Sequence, residues 1–195
     1  MHFCELKKCD IANGEGVRTT LFVSGCTNRC PDCFQPATWD FSYGKPFDAA
    51  VEQEIIDSTR PYYVNGLTLL GGEPFEPANQ EVLVPFLRRA RETYPNKTIW
   101  GFSGCTYEEL LTPGSSHHCQ WTEEMLSLLD VLVDGRFVEE LKDISLRFRG
   151  SANQRLIDLN QTRQTGEIVL LPDRNRHENF ISQEDFVYGY YGTAH

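Results

Sequence analysis

Apolar residues recur along the chain at two spacings, and the alternation between them predicts the secondary structure. Runs rich in β-branched and aromatic residues are typical of strands, and apolar positions three or four residues apart are typical of helices. Asp48 suits the start of the first helix, and Pro95 ends the second. The predicted strands cover residues 17–24, 66–70, 98–103 and 130–134, and the predicted helices cover 47–60, 83–94 and 121–129.

Strands that alternate with helices favour βαβ units and a mainly parallel sheet, so the predicted fold class is α/β. In such sheets the loops after the carboxyl ends of the strands gather the active site. Here those loops carry a cysteine cluster at residues 26–33, the segment Gly71, Gly72, Glu73 and Pro74, and Ser103. We therefore expect three segments that are distant in sequence to meet at one edge of the sheet.

The pattern changes after about residue 161. One strand-like run at residues 166–171 precedes a polar stretch, and the end of the chain is rich in aromatic residues and glycine. We predict one domain over residues 1–161 and a C-terminal extension over residues 162–195, to which the sequence assigns no chemistry.

Composition excludes several classes of protein. The chain has 195 residues, of which 40% are hydrophobic, which is enough for one folded domain with its own core. The formal net charge of -10 is unfavourable for a nucleic-acid binder. The chain shows neither an export signal nor an apolar run of the roughly 20 residues that a membrane helix needs. These features predict a cytoplasmic protein without a membrane or nucleic-acid partner.

The seven cysteines are an odd number, and in a reducing compartment they are expected to be thiols. Three of them, Cys26, Cys30 and Cys33, fall within eight residues. Thiolates at this spacing can converge on one metal centre, yet closed zinc sites and typical iron–sulfur clusters take four ligands. Spacing alone leaves three interpretations open: a structural site completed by a remote ligand, an iron–sulfur cluster with an open position, and coincidence. The remote candidates are Cys4, Cys9, Cys105, Cys119 and the histidines.

A second metal site is a separate possibility. Cys105, His117, His118 and Cys119 lie close together in sequence but lack tight paired spacing. This pattern favours free thiols or core residues over a metal site.

The residues around the cysteine cluster resemble a known family. The segment from Gly14 to Trp39 is similar to the N-terminal motif of the radical S-adenosylmethionine (SAM) enzymes that activate glycyl-radical enzymes. Matching segments follow in the family's order at residues 70–75, 99–104, 130–137 and 147–155. Within the family, the chain resembles the branch that activates anaerobic ribonucleoside-triphosphate reductase, over roughly residues 10–160.

The resemblance implies a partial (β/α)6 barrel with mainly parallel strands. It also implies one [4Fe-4S] cluster per chain, held by Cys26, Cys30 and Cys33, with SAM at the fourth iron. No catalytic side chain is expected beyond the ligands of the cluster and SAM. The residues expected to bind these cofactors are Asp32, Cys33, Phe34, Gly71, Gly72, Glu73 and Ser103.

The resemblance also implies an activity and partners. Reductive cleavage of SAM would remove a hydrogen atom from a glycine of the reductase, leaving a glycyl radical there. The electron donor would be a flavodoxin or ferredoxin, and a monovalent cation is expected near Asp134. Arg18, Arg147 and Arg149 are candidate contacts to the reductase.

Two other functions remain open at this point. The protein could be a radical SAM enzyme that acts on another glycyl-radical enzyme or a small molecule, although residues 134–137 and 147–154 favour the reductase branch. It could instead be a binding module without catalytic activity, in which zinc closes the cysteine loop.

Overall fold

The computed structural model describes residues 1–31 and 33–172, and the structural statements below concern these residues. Two short 3₁₀ helices occupy Pro36–Trp39 and Glu139–Leu141. The strands are β1 (His2–Asp10), β2 (Val17–Val23), β3 (Lys45–Pro46), β4 (Val64–Gly71), β5 (Thr98–Phe102), β6 (Val131–Asp134) and β7 (Arg155–Asp158). The helices are α1 (Ala49–Thr59), α2 (Pro77–Thr93), α3 (Tyr107–Leu111), α4 (Thr122–Leu128) and α5 (Leu159–Thr165).

One seven-stranded sheet, with the order β3-β1-β2-β4-β5-β6-β7, runs through the described residues. Its centre consists of β2, β4, β5 and β6, which are parallel neighbours joined by crossovers that contain helices. β1 and β3 extend one side and β7 extends the other, all by antiparallel pairing. The carboxyl ends of the four central strands therefore share one edge.

The prediction of a partial (β/α)6 barrel with mainly parallel strands is wrong. Three of the six strand pairings are antiparallel, and the sheet is open, with β3 and β7 at its two edges. Residues 11–16, between β1 and β2, are too few for the crossover that a parallel pair requires. β1 was missed because exposed charged residues interrupt its apolar pattern; they are Glu5, Lys7 and Lys8.

The main core lies between the helices and one face of the sheet. Leu21, Leu69 and Leu132 point from three central strands into this layer, where they pack with Leu83 and Leu87 of α2. All five are wholly buried. Burying one such side chain contributes about 1.5–3 kcal/mol, so this layer fixes the sheet beneath the site.

The predicted helices are found, although their bounds differ. Asp48 caps α1, because its carboxylate accepts hydrogen bonds from the amides of Ala50 and Val51, both at 3.0 Å. α2 ends just before Pro95 as predicted but begins at Pro77, earlier than the apolar stripe indicated. The strand-like run at residues 166–171 forms a single bridge, from Leu170 to Ile157.

The C-terminal division at residues 161 and 162 stays a prediction. α5 spans both positions, and Thr162 is buried. Residues 173–195, which make up most of the predicted extension, lie outside the described residues. Within the described part of the chain, no helix combines the length and the apolar character needed to cross a bilayer.

Candidate functional site

The three clustered cysteines lie on the loop that follows β2, at the carboxyl edge of the parallel strands. All three are free thiols of intermediate burial. Between the last two, the Cys33 amide donates a hydrogen bond to the Cys30 carbonyl at 3.3 Å, which closes a turn. Arg29 adopts a positive φ of 44°, which bends the loop between the first two. The fold thus places three sulfur donors on one sharply curved loop.

The surroundings of Cys26 and Cys30 disfavour bare thiolates. Burial raises the pKa of Cys26 to about 11, and the nearby charges of Glu73 and Glu76 raise it too. Burial also raises the pKa of Cys30, although the charge of Arg136 opposes this. A bound metal cation stabilises thiolates and displaces their protons, so this donor set fits a thiophilic metal group.

Among the described residues, the potential ligand atoms gathered within 4.8 Å of one another are those of Glu73, Cys105 and His117. This group lies beside the cysteine loop and not in it.

The glycine segment after β4 lies directly against the cysteine loop. The Gly72 amide donates to the Val23 carbonyl and the Glu73 amide donates to the Gly25 carbonyl, both at 2.8 Å. Gly71 has a φ of 114°, in the region that favours glycine. Gly71 is exposed at the edge where the parallel strands end. Backbone hydrogen bonds thus join two of the segments that carry predicted site residues.

Glu73 is buried and fully engaged within the protein. Its carboxylate accepts hydrogen bonds from the Phe75 amide at 2.9 Å, the Asn28 side chain at 3.0 Å and the Gly104 amide at 2.7 Å. Burial raises the pKa of Glu73, and the hydrogen bonds from the Phe75 and Gly104 amides oppose the rise. The carboxylate therefore ties the cysteine loop to the ends of β4 and β5.

The other predicted cofactor-binding residues differ in exposure. Ser103 is buried, and its hydroxyl accepts a hydrogen bond from the Cys105 amide at 3.0 Å. Phe34 is completely exposed, with a relative accessibility of 102%. Asp32 lies outside the described residues. Ser103 thus supports the loop around Glu73, whereas the Phe34 ring is available to a ligand.

Asp134 is buried at the end of β6 and is paired with an arginine. Arg155 donates to both of its carboxylate oxygens, and the Tyr107 amide adds a third hydrogen bond at 2.7 Å. Arg155 also binds Glu108, and this bond lowers the pKa of the Glu108 carboxyl to about 2. The positive charge beside Asp134 in this structure is therefore the Arg155 guanidinium.

Arg18, one of the expected contacts to the reductase, is wholly buried, and that expectation is wrong. Its guanidinium donates to Thr68 and to the carbonyls of Leu67 and Thr98, at 2.6, 2.7 and 2.9 Å. An arginine near the start of a strand gave no sign of burial in the sequence. Arg147 and Arg149 are of intermediate burial, and their role stays a prediction.

A buried polar network beside the cysteine loop was not recognised from the sequence. Cys105 Sγ lies 3.2 Å from His117 Nδ1, and His117 Nε2 lies 3.1 Å from Glu76 Oε1. His118 instead contacts the Leu110 carbonyl. Cys105 and His117 had been grouped with His118 and Cys119 by their closeness in sequence. The signal that the sequence offered for Glu76 is its position three residues after Glu73.

Comparisons with known proteins match the part of the chain that contains the cysteine loop. Residues 12–157 match the family model described as a 4Fe-4S single cluster domain. A protein of Haemophilus influenzae named anaerobic ribonucleoside-triphosphate reductase-activating protein is 42% identical over 156 residues, which cover 79% of this chain and 96% of that protein. Proteins of the same name from Escherichia coli K12 and Enterobacteria phage T4 are 38% and 33% identical, covering 79% and 80% of this chain and 96% and 93% of those proteins.

The family-model match spans the cysteine loop, the glycine segment and most of β7. Identity of this extent over nearly the whole length of the relatives establishes the family. The chain therefore belongs to the anaerobic ribonucleoside-triphosphate reductase-activating protein family.

Proposed function

We propose that this protein binds a [4Fe-4S] cluster and SAM, cleaves SAM reductively, and removes a hydrogen atom from a glycine of an anaerobic ribonucleoside-triphosphate reductase. One observation carries the proposal. The three-cysteine loop lies against the Gly71–Gly72 backbone at the edge where the parallel strands end. Family membership and the 4Fe-4S model match support the same conclusion.

Cys26, Cys30 and Cys33 would hold three iron atoms and leave the fourth for the amino and carboxylate groups of SAM. When bound, the cluster supplies one electron that splits SAM into methionine and a 5′-deoxyadenosyl radical able to take the hydrogen atom. The protein's part is to bind and orient these groups and to exclude competing reactions. Cys105, a candidate for a fourth ligand in the sequence, is hydrogen-bonded to His117 instead.

The exposed backbone of Gly71 and the adjoining, partly buried Gly72 are proposed to receive the methionine part of SAM, because glycine permits close approach of a ligand to the main chain. The exposed ring of Phe34 can stack on the adenine. Asp32, which is outside the described residues, is proposed as a further contact to SAM. Glu73 and Ser103 would act by holding the surrounding loops, since both are buried and hydrogen-bonded within the protein.

The proposed protein substrate is the reductase, and a flavodoxin or ferredoxin would deliver the electron. A monovalent cation near Asp134 is not part of the proposal. Both oxygens of that carboxylate already accept hydrogen bonds from Arg155, and a second cation there would be repelled by the guanidinium.

The test is an anaerobic mixture of the reconstituted protein, SAM, a strong reductant and a candidate reductase. We expect a glycine-centred doublet in the electron paramagnetic resonance spectrum of the reductase and formation of 5′-deoxyadenosine. A protein that takes up zinc in place of iron and sulfide would contradict the proposal. Cleavage of SAM without any radical on the reductase would point to another substrate.

A further inference from the structure

A histidine with a relative accessibility of 1% lies behind the cysteine loop. His117 Nδ1 is 3.2 Å from Cys105 Sγ and 2.9 Å from Ser116 Oγ, and Nε2 is 3.1 Å from Glu76 Oε1. Both ring nitrogens therefore have partners. An imidazolium, which donates from both nitrogens, satisfies the carboxylate on one side and the sulfur and hydroxyl on the other.

The carboxylate that His117 contacts reaches the cysteine loop. Glu76 Oε1 accepts hydrogen bonds from both the amide and the hydroxyl of Thr27, each at 2.6 Å. Thr27 directly follows Cys26. Glu76 stands at the N-terminus of α2, yet its side chain makes no capping hydrogen bond to that helix. The side chain is thus committed to the loop rather than to its own helix.

Two buried carboxylates beside the cysteine loop favour a nearby cation. Glu73 and Glu76 have relative accessibilities of 1% and 4%, and each holds one residue of the loop: Glu73 binds Asn28, and Glu76 binds Thr27. A buried carboxylate without a compensating charge is unfavourable. The hydrogen-bond partners of Glu73 given above are amides, and His117 is the basic side chain that pairs with Glu76 among the described residues.

We propose that His117 is a positioning residue for the cluster loop. Its imidazolium holds the Glu76 carboxylate in place, and Glu76 in turn fixes Thr27 and the backbone beside Cys26. This inference rests on the proposed function to the extent that the loop is taken to hold the cluster. The geometry of the network itself does not depend on a bound cofactor.

A buried metal ion at Glu73, Cys105 and His117 is the competing interpretation, because their ligand atoms lie within 4.8 Å of one another. The hydrogen bonds of Glu73 favour the hydrogen-bonded network over a metal site. The Glu73 carboxylate already accepts three hydrogen bonds from amide groups, which leaves little capacity for a metal. The metal interpretation is therefore tested alongside the proposal.

The first experiment uses the full chain without cluster. Hydrogen exchange of the Thr27 amide, which donates to Glu76, is measured by NMR in wild type, His117→Gln and His118→Gln. His118 is the matched control, because it lies on the same loop and contacts the Leu110 carbonyl. We expect Thr27 to exchange about tenfold faster in His117→Gln, as suits the loss of a buried charged hydrogen bond, and no change in His118→Gln.

The second experiment uses the reconstituted protein. We expect an iron chelator to remove the cluster about tenfold faster from His117→Gln than from wild type or His118→Gln. Thr27→Val loses the hydroxyl contact to Glu76 and should lose its cluster faster than wild type but more slowly than His117→Gln. Thr27→Ser keeps a hydroxyl and should lose its cluster at the wild-type rate. Because Thr27 is exposed, these two variants test the proposal even where a His117 variant does not fold.

Unchanged Thr27 exchange in folded His117→Gln, or an unchanged rate of cluster loss in Thr27→Val, would overturn the proposal. A second metal ion that is equimolar with the chain and is lost in Cys105→Ser would do so as well. Failure of the proposed function looks different: wild type would bind no cluster, while the exchange of Thr27 would still depend on His117.

Discussion

Gly72 and Gly25 are in direct backbone contact. A β-carbon on Gly72 would lie 2.6 Å from the Gly25 carbonyl oxygen and 3.1 Å from the Thr38 carbonyl oxygen. Gly25 immediately precedes Cys26, and its own amide and carbonyl are hydrogen-bonded to Thr38 and Glu73. The glycine segment after β4 is therefore packed into the base of the cysteine loop, and the absence of a side chain at Gly72 permits that contact.

We predict that Gly72→Ala displaces the cysteine loop. The methyl group would meet backbone rather than a flexible side chain, so relief requires movement of the loop and costs about 3 kcal/mol. Urea unfolding and iron content after reconstitution measure the two effects. Gly114→Ala is the control: nothing lies within 4 Å of its added β-carbon, so it should lose about 1 kcal/mol for its positive φ and keep the cluster. Normal iron content in Gly72→Ala would contradict the packing argument.

We predict that replacing any one of Cys26, Cys30 and Cys33 by alanine abolishes cluster assembly and SAM cleavage, because three protein thiolates would be the minimum for the cluster. Cys119→Ala should retain both, since its sulfur is contacted by Thr122 and lies outside the loop. Iron and sulfide analysis, visible absorption and formation of 5′-deoxyadenosine give the readouts. An active cluster in Cys30→Ala protein would refute the ligand assignment.

Much of the fold was predictable where burial dominates the pattern. The four central strands are rich in apolar and β-branched residues. The start of α1 is indicated by Asp48, and its length by an apolar stripe. The edges of the sheet were not predictable in this way. β1 mixes charged and apolar residues, and β7 has only four residues, so neither has a clear strand pattern. These strands pair antiparallel with their neighbours, and the structure is an open mixed sheet instead of the barrel that the resemblance implies.

The candidate site shows the same division. Close spacing revealed the cysteine loop, and a strand followed by glycines revealed Gly71 and Gly72. The supporting residues could not be found from spacing, because Glu76 and His117 are 41 residues apart in sequence and meet through the packing of α2 against the loop before α4. For the same reason, the exposure of Phe34 and the burial of Arg18 appeared first in the structure.

We predict that Arg18→Met destabilises the protein by about 3 kcal/mol or more. Among the described residues, no carboxylate is hydrogen-bonded to this buried guanidinium. It donates to the Leu67 and Thr98 carbonyls and lies 5.3 Å from the centre of the Trp100 ring. Methionine fills similar volume but leaves these buried acceptors without donors. Urea unfolding measures the loss.

Arg88→Ala is the control for this prediction. It breaks an exposed ion pair with Glu124 and should change stability by less than about 1 kcal/mol. Equal losses in the two variants would contradict the stabilising role given to the buried hydrogen bonds of Arg18.

Alkaline pH provides a test of the charge on His117. Hydrogen bonds with Cys105 and Glu76 raise the pKa of His117 from 6.5 to about 10. The folded state therefore binds this proton more tightly than the unfolded state does. The resulting stabilisation is complete below pH 6.5 and is lost as the pH rises through about 10.

We therefore predict that the cluster-free protein loses stability between about pH 7 and 10, and that His117→Gln loses less over this interval because glutamine carries no titrating proton. Urea unfolding at each pH gives the two curves of stability against pH.

Cys26 also titrates in the alkaline range, and its raised pKa lowers stability at high pH in both proteins. The difference between the two curves therefore measures the contribution of His117. Glu73, Glu76 and Cys105 face the imidazole and are present in both proteins. Parallel curves would mean that His117 is neutral in the folded state, and Glu76 would then lack its counter-charge.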